Sequence, residues 1–526
     1  MSHSHTSRRQ ALQHLASLTA GFSLWSLQHS AAWAQNPADN PQNCAPPTPP
    51  GPATPFQGGK IAVKPRKSAF ALTDAEIASL TKGWQGLRDI TAQNPNSPTG
   101  WLRQSYVHCW ACGGGTDGQQ GEEIHSSWWF PPWHRAYLFF LERALVKASG
   151  DPDLRLPYWD WSTQSPSTQT FPQIYASAGS ALYDPLRNPA NVKPGARIPA
   201  AFVGPKAMSI VLNSPTYALF GGVNTAIGGG SPGTLETIPH NHVHVWTGTD
   251  GSQSPNYGSD MGVLSTAARD PVFFAHHSNV DRMWSSWVAV DPSHTNPPDA
   301  DWNGHAWNFY DENGVWTSMK VSDVVNSENL GYVYDSLATP PKPLRSAVRT
   351  AGASQPAPAE NAALAHPAQP LVVLAAPQKR NLGTAPVTHK AALPEGFRKP
   401  LAALAANQSS RLYLLHIDDV TTPPDRSVSA KVYVNLPNAN ASTTTESPNF
   451  VGMISSVAKT TPANTAGHAA HHQAGIRYSF VIDEETARLI ARDKAVTVTL
   501  VPVDSNGATP RRSQLNYGRI TLTPLP

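Results

Sequence analysis

In three stretches of the chain apolar residues return every three to four positions, which predicts helices with one buried face. Thr73 and Asp74 cap a first segment running toward Ile90, and the others cover 133–147 and 272–287. Between them, residues 160–235 are rich in Gly, Pro, Ser and Asn and predict long loops carried on the helical scaffold. Past Tyr334 the pattern fades. Residues 338–396 are Pro- and Ala-rich with few aromatics, which predicts a linker containing one apolar island at 371–375. From about Arg411 the period changes to two: 412–420, 430–436, 477–482 and 495–503 alternate, separated by Pro, Asn, Asp and Gly. These predict a β-rich C-terminal domain over 397–526 behind a mainly α domain over 35–337.

The N-terminus changes the picture. Ser7, Arg8 and Arg9 precede an apolar stretch at 15–32, and Ala32, Trp33 and Ala34 follow as a small-residue cleavage pattern. Residues 1–34 therefore predict a twin-arginine signal peptide and an exported protein, periplasmic or secreted. No other stretch predicts a membrane span. The exported compartment permits disulfides, yet the 526-residue chain has only three cysteines, too few for a disulfide framework. Charged residues are 14% of the chain and the formal net charge is +3, without a clustered basic surface, so nucleic acid is excluded as the expected partner. The 50 prolines fit the loops and the linker, and 16 tryptophans fit a packed core.

The histidines carry the candidate chemistry. Of twenty, eight lie between residues 100 and 280 in two groups: His108, His125 and His134; then His240, His242, His244, His276 and His277. His240 and His244, four apart, share one face of a helix, and His242 points away. Imidazoles with little carboxylate or thiolate nearby suit copper or zinc and do not suit Mg or Ca. The zinc protease pattern needs Glu after the first His of the helical pair, where this chain has Asn241. A closed zinc site would bring more cysteines than Cys109 and Cys112. Copper fits better.

The run from His108-Cys-Trp-Ala-Cys112 to His125-Ser-Ser-Trp-Trp-Phe-Pro-Pro-Trp-His134-Arg resembles the copper A region of the tyrosinase and catechol oxidase (polyphenol oxidase) family. Pro239-His240-Asn-His-Val-His244, with Ala268-Arg-Asp-Pro-Val-Phe-Phe-Ala-His276-His277-Ser-Asn-Val-Asp281-Arg282-Met-Trp, resembles its copper B region. Asp301-Trp302, Asn308 to Glu312 and Leu330 to Tyr334 look like the segment that follows in plant-type members, and the β-rich tail is similar in kind to theirs. The resemblance implies a four-helix bundle holding a dinuclear type-3 copper site, with long loops, followed by a sandwich-like β-rich domain.

The same resemblance implies His108, His125 and His134 as ligands of one copper and His240, His244 and His277 as ligands of the other. It places His276 behind the ligands, pairs Cys112 with His125 in a thioether, and pairs Cys44 with Cys109 in a disulfide; Asp281, four residues after His277, is a candidate partner of a ligand's distal nitrogen, with an Asp281–Arg282 ion pair as the alternative. Leu264 takes the position of a gate over the copper A side, where an aliphatic leaves a wider entrance, and Val245 is a further slot-facing candidate. Glu236 and Asn241 match a Glu and Asn that the family associates with a water assisting monophenol hydroxylation, while Arg66, Tyr332 and Tyr334 match a packing contact. The implied activity is oxidation of o-diphenols to o-quinones with O2, together with hydroxylation of monophenols. Alternatives on the same metal geometry are a pure catechol oxidase, an o-aminophenol oxidase, and a non-enzymatic oxygen-binding protein. Small phenols are the expected substrates, a copper chaperone is a candidate partner, and oligomeric state is left open. The tail is a candidate lid, and its His468, His471 and His472 read as a solvated loop.

Overall fold

The computed structural model describes residues 51–58, 61–112, 115–116, 119–224, 230–248, 260–341, 372–406, 412–459, 475–512 and 515–524. The signal-like segment, Cys44, His468, His471 and His472 lie outside the described residues. Among the described residues, the helices that frame the N-terminal domain are α1 (Asp74–Gln93), α2 (Trp101–Trp110), α3 (Phe130–Ser149), α4 (Asn241–Gly248) and α5 (Pro271–Val290). Their starts follow from local chemistry. Thr73 caps α1 in a reciprocal box with Glu76, prolines occupy the first turn of α3, and Asp270 accepts from the Val272 N–H ahead of α5.

Helix α1 lies close on α3 because two of its residues are glycines. A Cβ at Gly83 would sit 3.0 Å from the Leu145 carbonyl oxygen, and one at Gly86 would sit 3.0 Å from the Ala148 Cβ. Helix α4 is entered through a wider π-helical turn, Glu236–His240, which contains Pro239. Proline has no N–H to give the regular ladder, and the Asn241 N–H reaches back to the Glu236 carbonyl instead. Residues 160–235, expected as loops, also hold three short helices: Ala200–Val203, Pro205–Leu212 and Tyr217–Gly221.

A sealed polar knot holds the helices in register. Asp281 on α5 accepts from Arg135 Nε of α3 (2.5 Å), Tyr332 Oη (2.6 Å) and Tyr334 Oη (2.5 Å), with Arg66 Nη1 at 3.5 Å. Arg66 also donates to Glu142 (2.9 Å) and lies 3.6 Å from the Tyr332 ring centroid. Burial opposes charge on Asp281, but the two guanidiniums outweigh it and hold the carboxyl below its ordinary value.

The C-terminal domain is a sandwich of two four-stranded antiparallel sheets. Its strands are β1 (Val372–Ala375), β2 (Val387–Ala392), β3 (Tyr413–Val420), β4 (Val428–Val434), β5 (Phe450–Ser456), β6 (Ile476–Ile482), β7 (Ala495–Pro502) and β8 (Ile520–Pro524). One sheet runs β2-β7-β4-β5 and the other β6-β3-β8-β1. Val432, Val498 and Leu500 of the first share a dry core with Leu415, Ile417 and Leu522 of the second. The sandwich begins earlier than the expected boundary at 397. Residues 372–392, read as linker, supply an edge strand to each sheet, and β2 pairs with β7 from Val387↔Leu500 to Ala392↔Ala495.

Candidate metal centre

Helix α2 carries His108 in its last turn, α3 presents His134 one turn in, and the loop between them carries His125. On the facing side, the π-helical turn ends with His240, α4 carries His244, and α5 carries His276 and His277. All six expected ligands are buried, at 0–4% exposure. They form two triangles. The ring centroids of His108, His125 and His134 lie 5.5–5.6 Å apart. Those of His240, His244 and His277 lie 4.6, 4.9 and 5.4 Å apart. The triangles adjoin where His134 stacks on His277 at 4.1 Å. Phe130 and Phe273 wall the space, with Phe273 4.8 Å from His108 and 4.1 Å from His277.

The hydrogen bonds decide the tautomers. Nδ1 of His134 donates to the Phe130 carbonyl (2.8 Å), that of His244 to the Met261 carbonyl (2.9 Å), that of His240 to Asn241 Oδ1 (2.9 Å), and that of His125 to Glu123 Oε1 (3.0 Å). Each proton is thereby placed on Nδ1, which leaves Nε2 as a bare lone pair turned inward. Burial first, and neighbouring imidazoles second, push His108, His134, His240 and His277 well below the usual histidine value, and burial brings His244 to about 3. These rings are therefore neutral. His240 Nε2 and His244 Nε2 face His277 Nε2 at 3.3 and 3.2 Å, and Nε2 of His125 and of His134 has no protein partner. Converging lone pairs in a dry space repel unless a cation lies among them, so the donor set fits a pair of imidazole-loving metal ions.

His276 belongs to the same cluster but differs in tautomer. The Trp161 indole N–H donates to His276 Nδ1 at 3.1 Å, so its own proton sits on Nε2, and the ring stacks on His240 at 5.3 Å without a free lone pair for metal. His242 points away as expected. It donates to the Ile238 carbonyl (2.6 Å), accepts from Ser429 of the C-terminal domain (2.7 Å), and stacks on Phe202. Asp281 is a correction: it was expected behind a ligand's distal nitrogen, and its oxygens are spent on Arg66, Arg135, Tyr332 and Tyr334. Arg282 pairs with Asp160 instead (3.0 Å).

Cys109 is disulfide-bonded, and Cys44 lies outside the described residues. Cys112 is a buried free thiol. Its Sγ stands 3.5 Å from His108 Nδ1, and its donor atom lies within 4.8 Å of those of His108 and His125. Glu236 is sealed at 3% exposure, and both its oxygens accept from the Ser126 N–H (3.0 and 2.9 Å). Burial, the larger effect, pushes its carboxyl up to about 8. Asn241 gives its Oδ1 to His240 and its Nδ2 to Ser455 Oγ (3.0 Å).

Ser455 belongs to the C-terminal domain, and residues 455–459 cover the site. The Leu264 N–H donates to the Ala458 carbonyl (2.8 Å), Val457 packs on Leu264, Cys112 and Val245, and Lys459 Nζ donates to Glu123 Oε2 (2.5 Å). The wide entrance expected at Leu264 is therefore closed from the other domain, and Leu264 is 4% exposed. Sequence reasoning missed Glu123, Trp161, Ser455, Val457 and Lys459. Only Glu123, an acid two residues before a candidate ligand, left a local sign.

A family model described as the common central domain of tyrosinase matches residues 98–209 and 187–290, and one described as the polyphenol oxidase middle domain matches 296–345. The chain is 36% identical over 299 residues to polyphenol oxidase B, chloroplastic, of Solanum lycopersicum, covering 52% of this chain and 50% of that one. It is 37% identical over 351 residues to a chloroplastic polyphenol oxidase of Malus domestica, covering 59% and 57%. The chain thus spans about half the length of the curated relatives it matches. Among solved structures, Grenache (Vitis vinifera) polyphenol oxidase superposes with a TM-score of 0.51 at 34% identity, covering 57% of this chain and 93% of that one. Latent apple tyrosinase superposes with a TM-score of 0.68 at 27% identity, covering 90% and 100%.

Proposed function

The chain belongs to the tyrosinase and polyphenol oxidase family, and on that premise we propose that it oxidises o-diphenols to o-quinones with O2 at two copper ions and hydroxylates monophenols. One observation carries the reading: two triads of buried imidazoles adjoin in one dry space, and His125, His134, His240 and His244 turn bare Nε2 atoms into it. His108, His125 and His134 would hold one copper, and His240, His244 and His277 the other. Bound copper would supply the electron transfer with O2.

The chain's own groups do the rest. The Nδ1 hydrogen bonds to Phe130, Met261, Asn241 and Glu123 orient the rings. Phe130 and Phe273 keep water out. A monophenol must lose a proton whose ordinary value is about 10. Glu236, brought to about 8, is the candidate base for that proton, ionised increasingly as pH rises toward 8, with Asn241 helping to hold an intervening water. Asn241 Nδ2 is occupied by Ser455 while the C-terminal domain is docked. This supports a latent chain in which residues 455–459 close the slot, and it keeps a catechol oxidase limited to diphenols as the second reading. No helix among the described residues is long and apolar enough to cross a membrane. The arginine pair and apolar stretch of residues 1–34 support export, which N-terminal sequencing of protein recovered outside the cytoplasm checks.

The deciding experiment presents the copper-loaded protein with tyrosine, L-DOPA, 4-methylcatechol and o-aminophenol side by side. Quinone from the catechols and a lag followed by product from tyrosine are expected. Rapid catechol turnover with no product from tyrosine would reduce the activity to catechol oxidase.

A further inference from the structure

Glu123 sits between a candidate ligand and the other domain. A β-bridge to Cys112 and the Ile124 N–H to the Ala111 carbonyl (3.1 Å) fix its backbone beside the end of α2. Its Oε1 accepts from both the backbone N–H and Nδ1 of His125, each at 3.0 Å. Its Oε2 accepts from Lys459 Nζ at 2.5 Å, across a sequence separation of 336 residues. Among the six rings, His125 is the one shown bonded at Nδ1 to a carboxylate; His134 and His244 rest on backbone carbonyls and His240 on an amide.

A carboxylate acceptor makes an imidazole a stronger metal donor than a carbonyl does, and a cation on that carboxylate weakens the effect. The geometry points to Glu123 as a positioning residue for His125, its hold on the ring set by whether the C-terminal domain places Lys459 on it. Glu123 fixes the tautomer that leaves His125 Nε2 bare, with ring centroids of His108 and His134 5.5 Å away. With Lys459 in place, part of the carboxylate's charge is drawn away. When the domain leaves, that pull is lost, more of the charge bears on His125, and the copper A triad binds more tightly. Linkage makes the effect reciprocal: copper in that triad loosens the Lys459 contact.

The inference rests on the assignment of the six histidines to copper, and its test reads copper itself. Full-length wild type, Glu123→Gln, Lys459→Gln and the double variant are loaded with copper, and bound copper per chain is measured at equilibrium against a graded chelator. Glu123→Gln is expected to give up one of two coppers at roughly 10- to 100-fold lower chelator. Lys459→Gln is expected to shift the same step the opposite way, and that shift is expected to vanish when Glu123 is Gln. If the pair were only a docking contact, Glu123→Gln would keep both coppers as wild type does, and that result overturns the inference. A Lys459→Gln shift of equal size in the Glu123→Gln background overturns it as well. Should Glu123→Gln fail to fold by circular dichroism, Lys459→Gln decides alone: tighter copper supports the inference, unchanged or weaker copper overturns it. A wild-type chain holding no copper would instead overturn the ligand assignment.

Discussion

Asp281 and Glu236 are both sealed from water inside the helical domain, and their surroundings drive them in opposite directions. Asp281 faces two guanidiniums and stays ionised; Glu236 meets the Ser126 N–H and no guanidinium in its shift, and burial raises it to about 8. Asp281→Asn leaves Arg135 without its counter-charge, while Arg66 keeps Glu142, and should cost about 3–5 kcal/mol in denaturant unfolding. Because Asp281 makes none of the hydrogen bonds that orient the six rings, folded Asp281→Asn should still bind a full copper complement by metal analysis. For Glu236 the linkage runs from an unfolded value near ~4.3 to a folded value of about 8. Across that window the folded chain keeps a proton the unfolded chain has released, so stability of the metal-free protein falls as pH rises. Glu236→Gln should flatten that slope in denaturant midpoints measured at about pH 5 and pH 8. In the loaded protein it should lower monophenol turnover by roughly 10²- to 10⁴-fold and spare diphenol turnover. Equal losses on both substrates would remove Glu236 from the proton's path.

At the scale of elements, strong periodicity was legible and pairing was not. The capped start at Thr73, the apolar stripes of α3 and α5 and the alternation of β3, β4, β6 and β7 lie in short stretches of sequence. Strand β2 reads as linker because Val387–Ala392 is half exposed and carries His389, Lys390 and two alanines; β7, about a hundred residues on, makes it a strand. The π-helical turn before α4 was also hidden, since His240 and His244 are four apart whichever ladder closes behind them. The histidines were legible because their helical spacing and long flanking motifs are local. Glu123's role, Ser455, Val457 and Lys459 were not, because the contacts that define them exist only after two domains dock. The closeness of α1 to α3 gives a check at this scale. Gly83→Val puts branched atoms where a Cβ already reaches 3.0 Å from the Leu145 carbonyl, and should destabilise by about 1–3 kcal/mol in thermal or denaturant unfolding. An unchanged midpoint would mean that α1 shifts freely on α3.

For the whole molecule, residues 455–459 of the C-terminal domain lie over the candidate metal centre, and on the proposed reading the way the two domains meet governs whether substrate reaches it. The contact combines the Val457 cluster, the Ser455 and Ser429 hydrogen bonds to Asn241 and His242, and the Lys206–Asp483 and Lys459–Glu123 ion pairs. The ion pairs are partly solvated and contribute little each; Val457 is sealed against Leu264 and is the proposed plug. The sandwich keeps a core of its own between its sheets, but its Tyr433, Phe450, Met453, Val501 and Val503 continue the helical domain's core, so cutting the connection leaves that apolar contact in place. The sandwich starts by Val372, so a cut near residue 390 would fall inside β2 and damage it, whereas a protease site engineered between 342 and 371 leaves every described strand whole. Cleavage there should leave the domains docked and catechol turnover low, and a mild detergent should then separate them and raise turnover. Val457→Asp, which buries a charge against Leu264 and Cys112, should raise catechol turnover in the uncut chain with copper content unchanged. If the separated helical domain, copper-loaded, turned over catechols no faster than the intact chain, residues 455–459 would be packing against the site without controlling it.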